Sequence, residues 1–331
     1  MPWTKDVPVL PVDLSLPEGR RWDAVMSATK PQALQVVAAA SEEMRLVPVT
    51  AQYLFGRLYK RWGGLYIPEI NSIAKALNVF SGKAIMLNCA YELSHLYLPR
   101  PFGCTAGVRH VDGKGMVHVR TLDWNMPEIG DATCVFRFSK GAREFFAVGV
   151  PGMVGVLSGM VPGAYSVTIN WAPPWGWPNF DFGPSFLLRD VLENVDTYAE
   201  AVKVLRDTPL STSVFFTVCG VNAGEGCVIE RTKKDFVVRE MEQGTVVQAN
   251  HHVDAKFAEH NSMVKVMEDA AFLAESGVRA EQLIAGLRNC RENDVLVDLL
   301  GSKPVLNNET VQKMVFCPAQ GELQVWRLAT K

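Results

Sequence analysis

Seven cysteines are spread along the chain, at positions 89, 104, 134, 219, 227, 290 and 317. Their odd number and wide spacing do not make a disulfide framework, and no CxxC pair is present. The six histidines lack metal-ligand spacing, although His251 and His252 are adjacent, so neither a metal site nor another cofactor is expected. Most of these thiols therefore read as small buried hydrophobes. Cys104 has a different setting. It follows a Pro-Arg-Pro-Phe-Gly loop, and Arg120 and Asp123 come 16 and 19 residues later, in His-Val-Arg-Thr-Leu-Asp-Trp. A thiolate is a nucleophile, and a cation beside a thiol favours the thiolate. Spacing alone argues only for a structural cysteine at the start of a strand, with an Arg and an Asp as a solvated ion pair.

The elements that must position these residues can be read from apolar periodicity. Residues 1 to about 25 are proline-rich and extended. From Pro31 to Asn78 the spacing is helical, with Leu34, Val37 and Ala38, then Tyr53, Leu54, Leu58 and Tyr59, recurring at three and four. Gly63 and Gly64 end one helix, and Pro68 opens another in its first turn. A further helix covers Ala84 to Leu96, stopped by Pro99 and Pro101. After Gly103 the character changes. Residues 104 to 180 read as strands with glycine turns, and Val117, Val119 and Thr121 alternate with His118 and Arg120 in the period of a strand. Helices return at 184–207, strands at 213–219, 226–231, 234–240 and 244–250, helices at 254–275 and 280–290, and a hairpin at 312–328. Strand blocks and helix blocks are segregated, which argues an α+β fold with largely antiparallel sheets.

With 331 residues, 48% of them hydrophobic, the chain can bury a large core as one domain or two. Its net charge of −2 comes without basic runs or an acidic tail, so no nucleic acid or anionic membrane partner is indicated, and a small molecule is the default. The most apolar stretch, Phe145 to Val161, is interrupted by five glycines and prolines and is shorter than the ~20 residues that a transmembrane helix needs. The start has no apolar leader pattern, so a cytoplasmic location is expected, or a lysosomal or secreted one if a leader was removed.

The run Cys104-Thr-Ala-Gly-Val, followed by Gly115-Met-Val-His-Val-Arg120-Thr-Leu-Asp123-Trp, resembles the opening of the catalytic chain of the acid ceramidase family. It is similar also to N-acylethanolamine-hydrolysing acid amidase and, more distantly, to bile salt hydrolases and penicillin V acylases. The likeness continues in order through Leu14-Ser-Leu-Pro17, Ala90-Tyr91-Glu92-Leu93, Gly152 to Gly159, Thr168-Ile-Asn170, Val191 to Asn194, Gly224 to Ile229, Val246 to Asn250 and Lys303 to Asn307. It implies an N-terminal-nucleophile (Ntn) hydrolase with a four-layer αββα sandwich. It further implies that the backbone is cut between Gly103 and Cys104. Residues 1–103 would stay bound as a mostly helical segment, and residues 104–331 would form the catalytic domain.

In that reading the Cys104 thiol attacks the carbonyl of an N-acyl amide, a lipid-like small molecule, and its own α-amino group moves the proton. Asp123 orients the amine, Arg120 favours the thiolate, and Asn250 and Asn170 stabilise the oxyanion. The chain departs from the family pattern in three places. The stretch between Glu92-Leu93 and Cys104 is longer. Trp171 replaces a glutamate and opens an aromatic cluster with Trp175 and Trp177. His260 and Asn261 stand where an arginine pair is expected. Trp171, Trp175 and His251 are the candidate substrate-binding residues, and the tryptophans favour an acyl or aromatic group. The alternatives are a penicillin V or N-acyl amino acid acylase, an acyltransferase using the same acyl-enzyme, and an inactive lipid- or partner-binding homologue.

Overall fold

Alternating side chains decide the architecture, because most central strands are covered on both faces. The computed structural model describes residues 3–61, 63–97, 103–173, 175–177, 179, 181–262, 270–290 and 293–329. The helices are α1 (Asp23–Glu43), α2 (Val49–Arg61), α3 (Ile67–Leu77), α4 (Ser81–Asn88), α5 (Ala90–Tyr97), a short α6 (Pro127–Asp131), α7 (Pro184–Asn194), α8 (Tyr198–Asp207), α9 (Ala270–Asn289) and α10 (Asn293–Gly301). The strands begin with β1 (Trp3–Thr4), β2 (Val9–Asp13), β3 (Gly103–Val111), β4 (Gly115–Asp123), β5 (Cys134–Lys140), β6 (Arg143–Gly149) and β7 (Ser158–Val161). They continue with β8 (Tyr165–Trp171), β9 (Val214–Cys219), β10 (Gly226–Arg231), β11 (Phe236–Glu240), β12 (Thr245–Gln248), β13 (Thr310–Cys317) and β14 (Glu322–Leu328).

These strands form two sheets. One has six strands in the order β1-β14-β13-β4-β3-β12, the other eight in the order β11-β10-β9-β8-β7-β6-β5-β2. Pairing is antiparallel except for β2, which lies parallel to β5 at the edge of the larger sheet. Helices α1, α3, α4, α7 and α8 cover the outer face of the eight-stranded sheet through Val25, Ile70, Ile85, Leu188 and Leu205. Leu283, Leu287, Leu296 and Leu300 of α9 and α10 cover the outer face of the other. Between the sheets lie Val135, Val148, Met160, Met314 and Phe316. The result is the four-layer αββα sandwich that the family resemblance implies.

Local chemistry explains several helix starts. Pro68 and Pro184 sit in first turns of α3 and α7, where no backbone donor is lost. The Thr197 side chain accepts the Glu200 N–H and caps α8. Several sequence expectations shift. The first helix begins at Asp23 with Pro31 inside it, because Val25, Met26, Thr29 and Ala33 already share a buried face. The helical block at 184–207 is broken at Val195–Thr197. The expected break between 275 and 280 is absent, since α9 runs through it, and α10 was not anticipated. The stop at Pro99 and Pro101 lies outside the described residues. Finally, the segment expected to be mostly helical starts with two strands, one in each sheet.

Candidate active site

The hairpin β3–β4 brings the chemistry together. Its register sets Gly103 opposite Asp123 and Cys104 opposite Leu122, so Cys104 and Asp123, 19 apart in sequence, become diagonal neighbours at one end of the six-stranded sheet. Gly103 is required there: a Cβ would lie 2.9 Å from Asp123 Oδ2. On β3's other side β12 pairs Gln248 with Ala106, which carries Asn250 toward Cys104. The Cys104 backbone N–H donates to Asn250 Oδ1 at 2.9 Å. Arg120, fully buried on β4, directs Nη2 to Cys104 Sγ at 3.2 Å and Nη1 to Ser158 Oγ at 2.7 Å and to Leu157 O. Burial pushes the Cys104 thiol up, Arg120 beside it pulls it back down, and Asp123 raises it again.

Asn170 comes from the other sheet. It donates through Nδ2 to Gln248 O at 2.9 Å and Ala249 O at 3.1 Å, tying the end of β8 to the residues that precede Asn250. Its Oδ1 is buried with no hydrogen-bond partner among the described residues. Asn250 Nδ2 donates to Trp171 O at 2.9 Å. All five residues expected to be catalytic are thus gathered, but with two differences in detail. In the uncut chain Asn250 presents its oxygen to Cys104, and its amide N–H serves Trp171. Asp123 is held by Asn307 Nδ2 at 2.8 Å and Thr310 Oγ1 at 2.7 Å, while the Cys104 nitrogen is served by Asn250.

One central residue escaped the sequence reading. Arg279 of α9 donates through Nη1 to Cys104 O at 2.8 Å, Thr105 Oγ1 at 2.8 Å and Asp123 Oδ2 at 3.4 Å, and through Nη2 to Asn250 Oδ1 at 2.9 Å. A guanidinium carries five N–H donors in a fixed fork, which suits this four-way junction. Nothing in its local sequence marks it, since a lone Arg on a helix is ordinary. Asn307 was quoted only as part of a matching block, with no role given.

The three candidate substrate-binding residues separate. Trp171 is 1% exposed, donates to Ser94 Oγ at 3.2 Å and packs edge-on to Phe272. Trp175 is on the surface, stacked on His260 at 4.2 Å. His251 Nδ1 meets Ser276 Oγ at 2.8 Å, and the same hydroxyl accepts the Asn250 backbone N–H at 2.7 Å. An apolar cavity of about 110 Å³ is walled by Val36, Ala40, Leu77, Met86, Met126 and Val150 among others. Met126 and Val150 also belong to the apolar cluster that contains Cys104. Among the described residues no group of three or more His, Cys, Asp or Glu could hold a metal ion. No helix among them is long and apolar enough to cross a membrane.

Comparison with known proteins bears on this geometry. The family model of acyl-coenzyme A:6-aminopenicillanic acid acyl-transferase matches residues 111–303. Acid ceramidase of Heterocephalus glaber is 28% identical over 371 aligned positions, covering 94% of this chain and 87% of that protein. Acid ceramidase of Homo sapiens is 27% identical, covering 98% and 91%. The solved structure of a Caenorhabditis elegans N-acylethanolamine-hydrolyzing acid amidase ortholog superposes with a TM-score of 0.53 at 26% identity, over 68% of this chain and the whole of that one.

Proposed function

The chain belongs to the acyl-coenzyme A:6-aminopenicillanic acid acyl-transferase family, and from that premise we propose that it cuts itself between Gly103 and Cys104 and then hydrolyses N-acyl amides through a Cys104 acyl-enzyme. It is an Ntn hydrolase similar to acid ceramidase and N-acylethanolamine-hydrolyzing acid amidase, acting on linear amide C–N bonds. One observation carries the finer reading. The Cys104 sulfur lies 3.2 Å from Arg120, while its backbone nitrogen is already held 2.9 Å from Asn250 Oδ1. Breaking the bond to Gly103 converts that nitrogen, in place, into an α-amine.

In the first step the Cys104 sulfur adds to the Gly103 carbonyl. The Gly103–Cys104 C–N bond breaks, the nitrogen gains a proton to become the α-amine, and water hydrolyses the thioester to free the Gly103 carboxylate. In turnover the α-amine, with a reference pKa of ~8, takes the thiol proton. The sulfur attacks the substrate carbonyl, the leaving amine collects the proton, and water releases the acid. Arg279 donates to the same Asn250 oxygen as the Cys104 nitrogen, so its positive charge opposes protonation of the new amine and keeps it a base.

The apolar cavity, which shares Met126 and Val150 with the apolar cluster that contains Cys104, supports an acyl chain with little polarity, hence lipid-like amides such as ceramides or N-acylethanolamines. Its walls come from both sides of the cut: Val36, Ala40, Leu77 and Met86 precede it, Met126 and Val150 follow it. Residues 1–103 also contribute β1 and β2 to the two sheets. Both facts favour a cleaved protein whose two chains stay associated. Intact mass spectrometry of wild type and Cys104→Ala, with an acyl-amide hydrolysis assay, tests the reading. Fragments meeting at Gly103 and Cys104 in wild type alone, with hydrolysis lost in the variant, are expected. An uncut wild type without activity, or an active Cys104→Ala, overturns it.

A further inference from the structure

Helix α5, which precedes the expected cut, sends two side chains into the catalytic end of the sandwich. Tyr91 is 4% exposed, and its hydroxyl lies 3.1 Å from Ser213 O and 3.4 Å from Asn170 O. The same phenol oxygen is bonded by the backbone of Ala172. A phenol has one proton to donate, so it serves one carbonyl at a time while accepting from Ala172. Ser94 Oγ donates to Tyr91 O at 2.6 Å and accepts from Trp171 Nε1 at 3.2 Å. Residues 170, 171 and 172, the end of β8, are therefore all tied to one helix from the other side of the cut.

The ties lead directly to the nucleophile. Asn170 Nδ2 holds the carbonyls of Gln248 and Ala249, Asn250 Nδ2 holds Trp171 O, and Asn250 Oδ1 holds the Cys104 nitrogen. Burial first, with the neighbouring Cys104 and Glu92 adding to it, pushes the Tyr91 phenol well above its ordinary value. The phenol therefore remains a hydrogen-bond donor and does not compete for the role of base.

We propose that Tyr91 is a positioning residue for the Cys104 reaction, supplied by the helical segment: its phenol fixes the end of β8, and through it Asn170 and Asn250. The inference rests on the reading of Cys104 as nucleophile and adds what the segment before the cut does after cleavage. It stays docked as part of the site.

Tyr91→Phe removes one oxygen and keeps the ring. The variant should still fold with the melting temperature of wild type within a few degrees. Misplacing the reacting groups by the loss of one such hydrogen bond should lower kcat by about 10-fold and leave KM unchanged. Self-cleavage, read as the rate at which the two fragments appear, should slow by a similar factor. Should Tyr91→Phe fail to fold, Ser94→Ala removes the other tie and should lower kcat in the same direction, again at constant KM. A variant that matches wild type in kcat and in cleavage rate, or that raises KM alone, overturns the inference. Cys104→Ala, run alongside, separates the two ideas: if it stays active, the nucleophile is wrong and the Tyr91 assignment falls with it. If it is dead while Tyr91→Phe is fully active, only the Tyr91 assignment falls.

Discussion

Asn250 illustrates how one side chain is committed at this site. Its Oδ1 receives Cys104 N–H and Arg279 Nη2, and its Nδ2 reaches Trp171 O. Two donors converging on one atom identify that atom as the oxygen, so the amide cannot be turned over without facing N–H groups against N–H groups. Arg279 thereby sets the orientation of Asn250 and also bridges Asp123 and the Cys104 carbonyl. Replacing it by Gln shortens the fork and removes a charge from a buried junction. Hydrogen bonds to charged groups are worth roughly 1.5–3 kcal/mol, so Arg279→Gln should slow fragment formation and turnover by roughly 10- to 100-fold. A variant that cleaves itself at the wild-type rate would remove Arg279 from the machinery.

At the scale of elements, β4 shows why a strand pattern was readable and its meaning was not. Val117 and Val119 alternate with His118 and Arg120, as expected, yet both faces are buried. The valines face α9 and α10, whereas His118 and Arg120 face the second sheet, where His118 meets Ser166 and Thr168 at 3.0 Å each. A polar residue in an alternating strand normally signals solvent. Here it signals a second sheet, and only the layering reveals that. The helices have a comparable role at the apolar cavity, where α1, α3, α4 and α5 supply one wall. Ala40 is one of the smaller residues there. Ala40→Phe should fill much of the space and depress hydrolysis of long-chain acyl amides relative to acetyl amides. A chain-length profile identical to that of wild type would show that acyl groups bind elsewhere.

The whole molecule buries charge unevenly. Glu69 receives Arg21, Trp22 and Arg189, Glu230 receives Arg239, His252 and two backbone N–H groups, and Asp123 receives Asn307, Thr310 and Arg279. Both oxygens of Glu92 on α5 are buried with no hydrogen-bond partner among the other described residues, and burial raises its carboxyl from 4.5 to about 7. Below pH 4.5 this group is protonated in the folded and unfolded chain alike and contributes nothing. Between pH 4.5 and about 7 the unfolded chain gives up this proton while the folded chain keeps it, so stability falls across that window, and above about 7 the folded chain holds a buried charge and the loss is complete. Glu92→Gln should therefore be the more stable protein at pH 8, by up to about 3 kcal/mol, relative to any difference at pH 4. Denaturant titrations at the two pH values check this, and an advantage that does not change with pH would refute it.

Covalent and local information sufficed for part of this protein. Cys104 at the change from helices to strands, Arg120 and Asp123 at fixed distances along one hairpin, the proline and glycine stops and the segregation of strands from helices are all written in neighbouring residues. The ordered likeness to a known family then added the catalytic reading of Cys104, Arg120 and Asp123, the two asparagines and the four-layer fold. Arg279, Asn307 and Tyr91 were out of reach, because each meets the site across a separation of 175, 184 and 79 residues from Cys104, Asp123 and Asn170 respectively. Such contacts leave no periodic trace. They exist only once two sheets have stacked, α9 has packed on one and α5 has closed on the other, so that buried donors and acceptors must find each other in the absence of water.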